Sequence, residues 1–366
     1  MVPYWGVYLK SLGYSSQDVG IIGAIILATR IIAPNFWGWL ADRTQKRLQI
    51  IRIGSLAACV CFAGVFVDQT FAWLVLAVST YTFFWHAVLP QFEVITLTYL
   101  AREHHRYGQI RLWGSIGFIV AVLALGWLFD IISIHYLPVF ILTFLLLIGL
   151  SSISLEPIAP LDHSGAARGF RQIITQPTML CFLLMSFLLQ LSHGPYYTFY
   201  SLYLIDNHGY SSTVTGLLWA LGVLAEVAIF IVMHRLLRRF SLRNLLLTVL
   251  ALTTVRWWII AAFAEHWMLL LFAQLLHAGS FGVAHAVSME MVRRYFGTAH
   301  QSQGQALYSS LSFGAGGALG ALLGGIFWDQ SAALTFYFCG LCALLAFFIA
   351  YWGIFPQQKV NESSDS

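Results

Sequence analysis

Apolar runs of nearly membrane-spanning length recur from one end of this chain to the other. Trp113–Phe129, Leu137–Leu155 and Ala332–Trp352 contain no Asp, Glu, Lys, Arg or His, and Leu245–Ala264 is interrupted only by Arg256. Each approaches the roughly 20 apolar residues a helix needs to cross a bilayer core of about 30 Å. Charged residues make up 9% of the 366 residues, against roughly 25% in a soluble domain, too few to clothe a water-facing surface. Ten-residue alternating segments bounded by turns, the signature of a membrane β-barrel, are absent from the sequence. The reading is an all-α polytopic membrane protein, with spans near 16–40, 48–67, 71–99, 108–130, 136–155, 179–205, 211–234, 244–264, 267–292, 305–328 and 332–354.

The charges sort by loop. Arg43, Lys46 and Arg47, then Arg102 and Arg106, Arg168 and Arg171, Arg235, Arg238, Arg239 and Arg243, and finally Arg293, Arg294 and Lys359 occupy alternate connections. The intervening connections hold Asp68, Asp130, Asp206, Glu265 and Asp329, and Lys10 is the one basic residue on that side. Basic loops stay in the cytoplasm, so an inner-membrane protein with a cytoplasmic C-terminus is expected. This distribution follows topology and is no nucleic-acid footprint. The five cysteines all fall in apolar segments. Cys339 and Cys342 lack companion ligands, which favours small apolar filler over a redox or metal pair.

The chain repeats itself. Gly13-Tyr14-Ser15-Ser16 with Gly20 returns as Gly209-Tyr210-Ser211-Ser212 with Gly216, an offset of 196 residues (209 − 13). Gly108-Gln109 and Gly304-Gln305, and Arg43 with Arg47 against Arg239 with Arg243, share it. Duplicated halves are common in secondary transporters, whose sites lie between the repeats. A full span, Met179–Leu204, precedes the second Gly-Tyr-Ser-Ser, but only Met1–Leu9 precedes the first. Nine helical residues reach about 14 Å, so the expected fold is eleven full spans plus a stub, with the first helix of a twelve-span parent largely missing. The expected organisation is an N-terminal bundle at 1–155, a cytoplasmic linker at 156–178, a C-terminal bundle at 179–354 and a disordered tail at 355–366.

The first basic loop, Gly38-Trp39-Leu40-Ala41-Asp42-Arg43-Thr44-Gln45-Lys46-Arg47, resembles the major facilitator signature, departing at Gln45 where glycine is usual. That resemblance implies a fold of two pseudo-symmetric six-helix bundles and a cytoplasmic gate using Gly38, Asp42, Arg43, Arg47 and, by the repeat, Arg239. Pro90-Gln91-Phe92-Glu93 and Tyr107-Gly108-Gln109-Ile110-Arg111-Leu112-Trp113 look like the fourth-to-fifth helix region of lactose permease and its relatives. There the matching Glu and Arg form a charged substrate-binding pair, implying that role for Glu93 and Arg111. Val255-Arg256 and Leu276-His277 resemble that family's coupling positions, but Ser280 stands where it places an acid. His193-Gly194-Pro195-Tyr196-Tyr197, Leu221 to Val227, Val255-Arg256-Trp257 and Leu276-His277 are most similar to the 3-phenylpropionate permease group, which is related also to nucleoside–proton symporters.

Ionisable groups at bilayer depth cost roughly 3 kcal/mol or more and normally face a cavity in pairs. Arg30 and Glu226 share the 196 offset and carry opposite charges, so they are expected to pair across the pseudo-twofold axis or to hold opposite ends of a substrate. Arg256 is expected to neutralise Glu226 or a substrate carboxylate, the latter a group that a planar guanidinium grips bidentately. His277 suits proton coupling, with Glu226 or Glu93 exchanging the proton. Trp113, His193 and Tyr197, with Tyr196 and Trp257, are candidates to sandwich a ring. The small-residue stripe Gly316, Gly320 and Gly324 reads as close helix contact and a sliding surface between rocking halves.

The expected activity is alternating-access, proton-coupled symport of a small organic substrate, an aromatic carboxylate of the 3-phenylpropionate type or else a sugar or nucleoside. No cofactor or metal is expected. The partners are substrate, protons and lipid, and the unit is a monomer. A membrane-embedded enzyme built on His193, His277 or His285 is the rival from another class, but no H-E-x-x-H spacing or nucleophile–base set supports it.

Overall fold

The structure is a computed structural model, and it describes residues 2–100, 103, 106–155 and 170–354. It is helical throughout: α1 Val2–Ser11, α2 Ser16–Thr44, α3 Arg47–Ala63, α4 Phe71–Leu100, α5 Tyr107–Phe129, α6 Leu137–Ile153, α7 Phe170–Ile174 and α8 Pro177–Leu202 come first. They are followed by α9 Ser212–Arg239, α10 Leu242–Phe263, α11 Trp267–Leu275, α12 Ala284–Ser309, α13 Gly317–Trp328 and α14 Ala332–Gly353. Among the described residues eleven helices are long and apolar enough to span a bilayer. Two of them run Trp267–Gly297 and His300–Trp328, because Gly297 at φ 58° breaks the helical path within α12. The ten-residue α1 is the stub, and its Tyr4, Trp5, Tyr8 and Leu9 are all buried. Residues 156–169 of the expected linker and the expected tail at 355–366 lie outside the described residues.

The repeat seen in the sequence is a repeat of local chemistry. Gly13 and Gly209 take φ 90° and 66°, a left-handed turn that glycine enters without a Cβ penalty. Ser15 and Ser211 then cap α2 and α9, accepting from the N–H of Asp18 and Val214. Tyr14 anchors its turn by donating to the Gln69 carbonyl, as Tyr210 does to Ala264 at 2.9 Å.

Where the halves meet, a second repeat appears that the 196 offset conceals. Gly126-Trp-Leu-Phe-Asp130 ends α5 and Gly325-Ile-Phe-Trp-Asp329 ends α13, 199 residues apart (329 − 130). A Cβ on Gly126 would sit 2.6 Å from the Ser212 carbonyl oxygen of α9, and one on Gly325 would sit 2.7 Å from that of Ser16 on α2. In return Gly216 faces Val122 O at 2.7 Å and Gly20 faces Ala321 O at 2.9 Å. The backbones therefore touch at both crossings, and any side chain would wedge them apart. One turn beyond, Asp130 accepts from the N–H groups of Ser212 (2.7 Å) and Thr213 (3.0 Å), while Asp329 accepts from Gln17 Nε2 at 3.0 Å. A carboxylate at a helix N-terminus satisfies orphan donors and complements the helix dipole. Tyr4 locks the α5–α9 crossing, donating to Val122 O (3.1 Å) and Ser212 O (3.2 Å). Burial raises the Asp130 carboxyl, but the bonds from Thr213, Ser212 and Ser211 outweigh it and hold it below the usual carboxylate range. This clasp keeps its charge across the neutral range and loses it only in strong acid.

These crossings close the end that carries the acidic connections. Toward the basic end, α2 keeps touching the other half as far as Asn35, whose Nδ2 donates to Ser310 Oγ at 3.2 Å. On the α5 side contact is lost, and residues 108–114 are exposed in succession, hence on every face of the helix. The glycine stripe needs correcting: Gly316, Gly320 and Gly324 pack on Phe187, Leu191 and Pro195 of α8, inside their own half. The face of α13 turned to the other half lies one residue on, at Gly317, Ala321 and Gly325, against Leu27, Gly20 and Ser16.

Removing the Asp130 carboxylate leaves two helix-end donors unmet, a loss of about 1–2 kcal/mol that raises the separated population roughly tenfold. Spin labels at positions 131 and 330 should show a longer distance component in Asp130→Ala and in Gly126→Val. Unchanged distance distributions in both variants would refute the clasp.

Candidate functional site

Between the halves lies a cavity of about 410 Å³, walled by α1, α2 and α5 on one side and by α8, α9 and the 277–281 stretch on the other, with Phe313. The repeat organises it. Gly23, Leu27 and Arg30 on α2 face it at i, i+4 and i+7, and so do their 196-offset equivalents Trp219, Val223 and Glu226 on α9. Arg30 and Glu226 thus share the void as expected, but they do not pair: no ion pair joins them. Among the described residues Arg30 has no carboxylate within ion-pair distance.

Glu226 instead faces His277, with Oε2 3.8 Å from Nε2. Two glycines allow it. Gly222, one turn before Glu226, leaves space that a Cβ would take at 3.3 Å from the His277 ring, and a Cβ on Gly282 would sit 3.2 Å from Glu226 Cγ. A π-helical turn, Ala278–Val283, follows His277 and stacks Phe281 parallel to it at 5.5 Å. Such wide turns often mark functional positions. Among the described residues His277 Nδ1 has no hydrogen-bond partner.

Arg256 lies elsewhere than expected. It is fully buried and does not line the cavity. Its Nε donates to Ala273 O (3.1 Å) and its Nη1 to Ser280 Oγ (3.0 Å), and its guanidinium sits over Tyr196 (4.5 Å) and Trp257 (4.2 Å). The Tyr196 ring also packs 5.8 Å from His277, so it screens Arg256 from the chamber. The serine standing where lactose permease has an acid is therefore a neutral partner of Arg256. His193 is likewise sealed, with Nδ1 on Leu189 O at 2.8 Å and its ring edge-on to Trp257 at 5.0 Å. Of the expected aromatic set, Tyr197 alone lines the cavity. Trp113 is 72% exposed and takes no part in the site, because helical phase turns it away while Arg111 and Phe118 face in. Arg111 reaches the rim, where its Nε lies 4.0 Å from Glu93 Oε1; Glu93 itself is half-exposed.

At the basic end Asp42 pairs with Arg47, and Arg47 Nη1 also donates to Gln91 Oε1 of α4 at 2.7 Å. Arg43 lies over Trp39 and Arg239 over Phe240, each an aromatic neighbour in its own segment. Gly38 meets no neighbour that would exclude a side chain. Gln45 caps α2 in the left-handed region at φ 57°, where glycine is usual, with its Nε2 donating to Asp42 O at 2.6 Å.

Sequence reading missed Trp5, Phe118, Trp219, Phe281 and Phe313 as lining residues. Trp219 was accessible through the repeat, being equivalent to the position three before Leu27's neighbour Ile26. Trp5 lay hidden in the stub.

Over residues 1–338 the sequence matches the model of the MFS_1 like family. It is 29% identical to the probable 3-phenylpropionic acid transporter of Escherichia coli (strain K12), over 95% of this chain and 92% of that one. To the maltose permease of Geobacillus stearothermophilus it is 27% identical, over 94% and 88%. It superimposes on a point mutant of the nucleoside transporter NupG with a TM-score of 0.84, at 16% identity over 96% and 94% of the chains. A bacterial homologue of the iron transporter ferroportin gives 0.72 at 17% identity, over 95% and 92%. Identities this low speak to the fold alone.

A β-branched residue tolerates the left-handed region poorly. Gln45→Val should destabilise the protein by about 1–2 kcal/mol and lower its melting temperature in detergent, whereas Gln45→Asn should leave it unchanged. Equal melting temperatures for all three would contradict the strained cap.

Proposed function

Because the chain belongs to the MFS_1 like family of membrane transporters, we propose that it is a proton-coupled symporter of an aromatic carboxylate such as 3-phenylpropionate. It is a multi-pass membrane protein and no enzyme, since the relatives it matches are transporters. One observation carries the finer reading: a shared cavity with an unpaired cation, Arg30, on one wall and the Glu226–His277 pair on the other. Arg30 holds the substrate carboxylate, and the rings of Tyr197, Trp219 and Phe281 receive its aromatic body. Glu226 takes up the transported proton, with the His277 ring 3.8 Å away as its neighbour. The basic connections face the cytoplasm, so the open end is the inner one. The protein works as a monomer in the inner membrane, and Gly38, Asp42, Arg43, Arg47 and Arg239 close the inner end when the outer clasp opens.

A sugar or nucleoside is the second reading. The 27% identity to a maltose permease and the ring-lined cavity support it, because aromatic faces stack on sugars and bases as well as on phenyl groups.

Proteoliposomes decide the coupling. An imposed inward proton gradient should drive accumulation of labelled 3-phenylpropionate in the wild type. Glu226→Gln should abolish accumulation while keeping exchange between internal and external substrate. Accumulation by Glu226→Gln at the wild-type level would show that Glu226 is not the proton carrier.

A further inference from the structure

We infer that the cavity takes molecules with one anionic head and an apolar far end, held head toward the basic end, and that Leu27 and Val223 are the specificity-determining pair that rejects a polar far end. The inference rests on the aromatic-acid reading above. It adds the orientation of the substrate and the chemistry of its buried end.

The lining is sorted by depth. Helices α2 and α9 both run from the closed acidic end toward the basic end. In that direction α2 offers Gly23, Leu27 and Arg30, and α9 offers their repeat equivalents Trp219, Val223 and Glu226. From Gly23 to Arg30 the helix rises about 10 Å. The deepest level is thus glycine opposite indole, the next is leucine opposite valine, and only the level nearest the basic end is charged. Helix α5 runs the other way and shows the same order, with Arg111 near the basic end and Phe118 deeper. His277 joins the charged level beside Glu226, where Phe281 and Phe313 complete the wall.

Below that level the polar atoms are engaged or sealed. Trp219 Nε1 donates to Ser201 Oγ at 2.9 Å, and Thr198 Oγ1 donates to Gly194 O at 3.1 Å. The same threonine oxygen lies 2.6 Å from where a Cβ on Gly23 would sit, so Gly23 covers it. Trp5 Nε1 is buried away from the void. Tyr197 stacks on Trp219 with ring centroids 6.5 Å apart. A helical side chain leans toward the N-terminus of its helix, which for α8 is the basic end. The Tyr197 hydroxyl therefore belongs with the charges, and both Arg30 and Glu226 act on it electrostatically. A hydroxyl carried into the deep part leaves water without gaining a partner. One carried beside the head group meets Arg30, Glu226 and Tyr197.

Inhibition of labelled 3-phenylpropionate uptake in proteoliposomes tests both parts. 3-(4-Hydroxyphenyl)propionate has its extra hydroxyl at the far end and should bind about tenfold more weakly than 3-phenylpropionate, the effect of burying one unpaired donor. 2-Hydroxy-3-phenylpropionate has it beside the carboxylate and should change less than threefold. Val223→Thr and Leu27→Asn each place a polar group in the deep part and should narrow the tenfold ratio to roughly threefold or less. The reverse order in the wild type, with the 4-hydroxy acid tolerated and the 2-hydroxy acid rejected, overturns the orientation. Equal inhibition constants for all three acids overturn the division of the cavity by depth. A ratio unchanged in both variants removes Leu27 and Val223 as the determinants. Wild-type uptake of maltose or uridine with none of 3-phenylpropionate overturns this inference together with the aromatic-acid reading.

Discussion

Two backbone contacts bear the architecture. At Gly126 and Gly325 the chain has no Cβ, and helices from opposite halves approach until carbonyl oxygens fill the space a side chain would need. One turn on, Asp130 and Asp329 reach the start of the partnering helix. In a bilayer apolar surface gives little reason for helices to adhere, since lipid tails are as apolar as leucine; close packing and interhelical hydrogen bonds hold them instead. The clasp supplies both, at one end only. That one-sidedness is why a chamber exists at all: the halves are pinned at the acidic end and diverge along α5 toward the basic end.

The chamber uses the repeat without being symmetric. Equivalent turns of α2 and α9 offer it arginine on one side and glutamate on the other, so related scaffolds supply opposite charge to a single void. The π-helical turn after His277 breaks the equivalence further by bringing an imidazole against Glu226, where the 196-offset position near Arg30 is the phenol of Tyr81. Arg256, by contrast, is enclosed by Tyr196, Trp257 and the Ser280 hydroxyl. Its charge is dispersed over ring faces and neutral acceptors, which keeps it out of direct competition with Arg30 for an anion.

Much was legible beforehand because the bilayer restricts the choices so severely. Spans followed from runs such as Trp113–Phe129, and among the described residues eleven helices are long and apolar enough to span, preceded by the short α1. The Gly-Tyr-Ser-Ser pair revealed the repeat, and the structure gives both copies a left-handed glycine and a serine cap, since only local geometry is involved. Arg30 and Glu226 were found as charges too costly to face lipid. The errors share one cause. Trp113, Arg256 and His193 were placed by adjacency to charge or by family position, yet a helical residue turns about 100° from its neighbour, so neighbours in sequence need not share a face. The glycine stripe does make the close helix contact expected of it, but inside its own half; the surface toward the other half lies one residue on.

What the sequence alone determined is therefore whatever depends on composition along a single helix: the all-α membrane class, the span limits, the sidedness of charge, the turns and caps, and the list of buried charges. What only the tertiary structure decided is which of those charges share a void, which are walled off, and which end is shut. Those outcomes depend on the rotation and close approach of helices some 200 residues apart, set by single glycines and one wide turn whose effect a linear pattern does not carry.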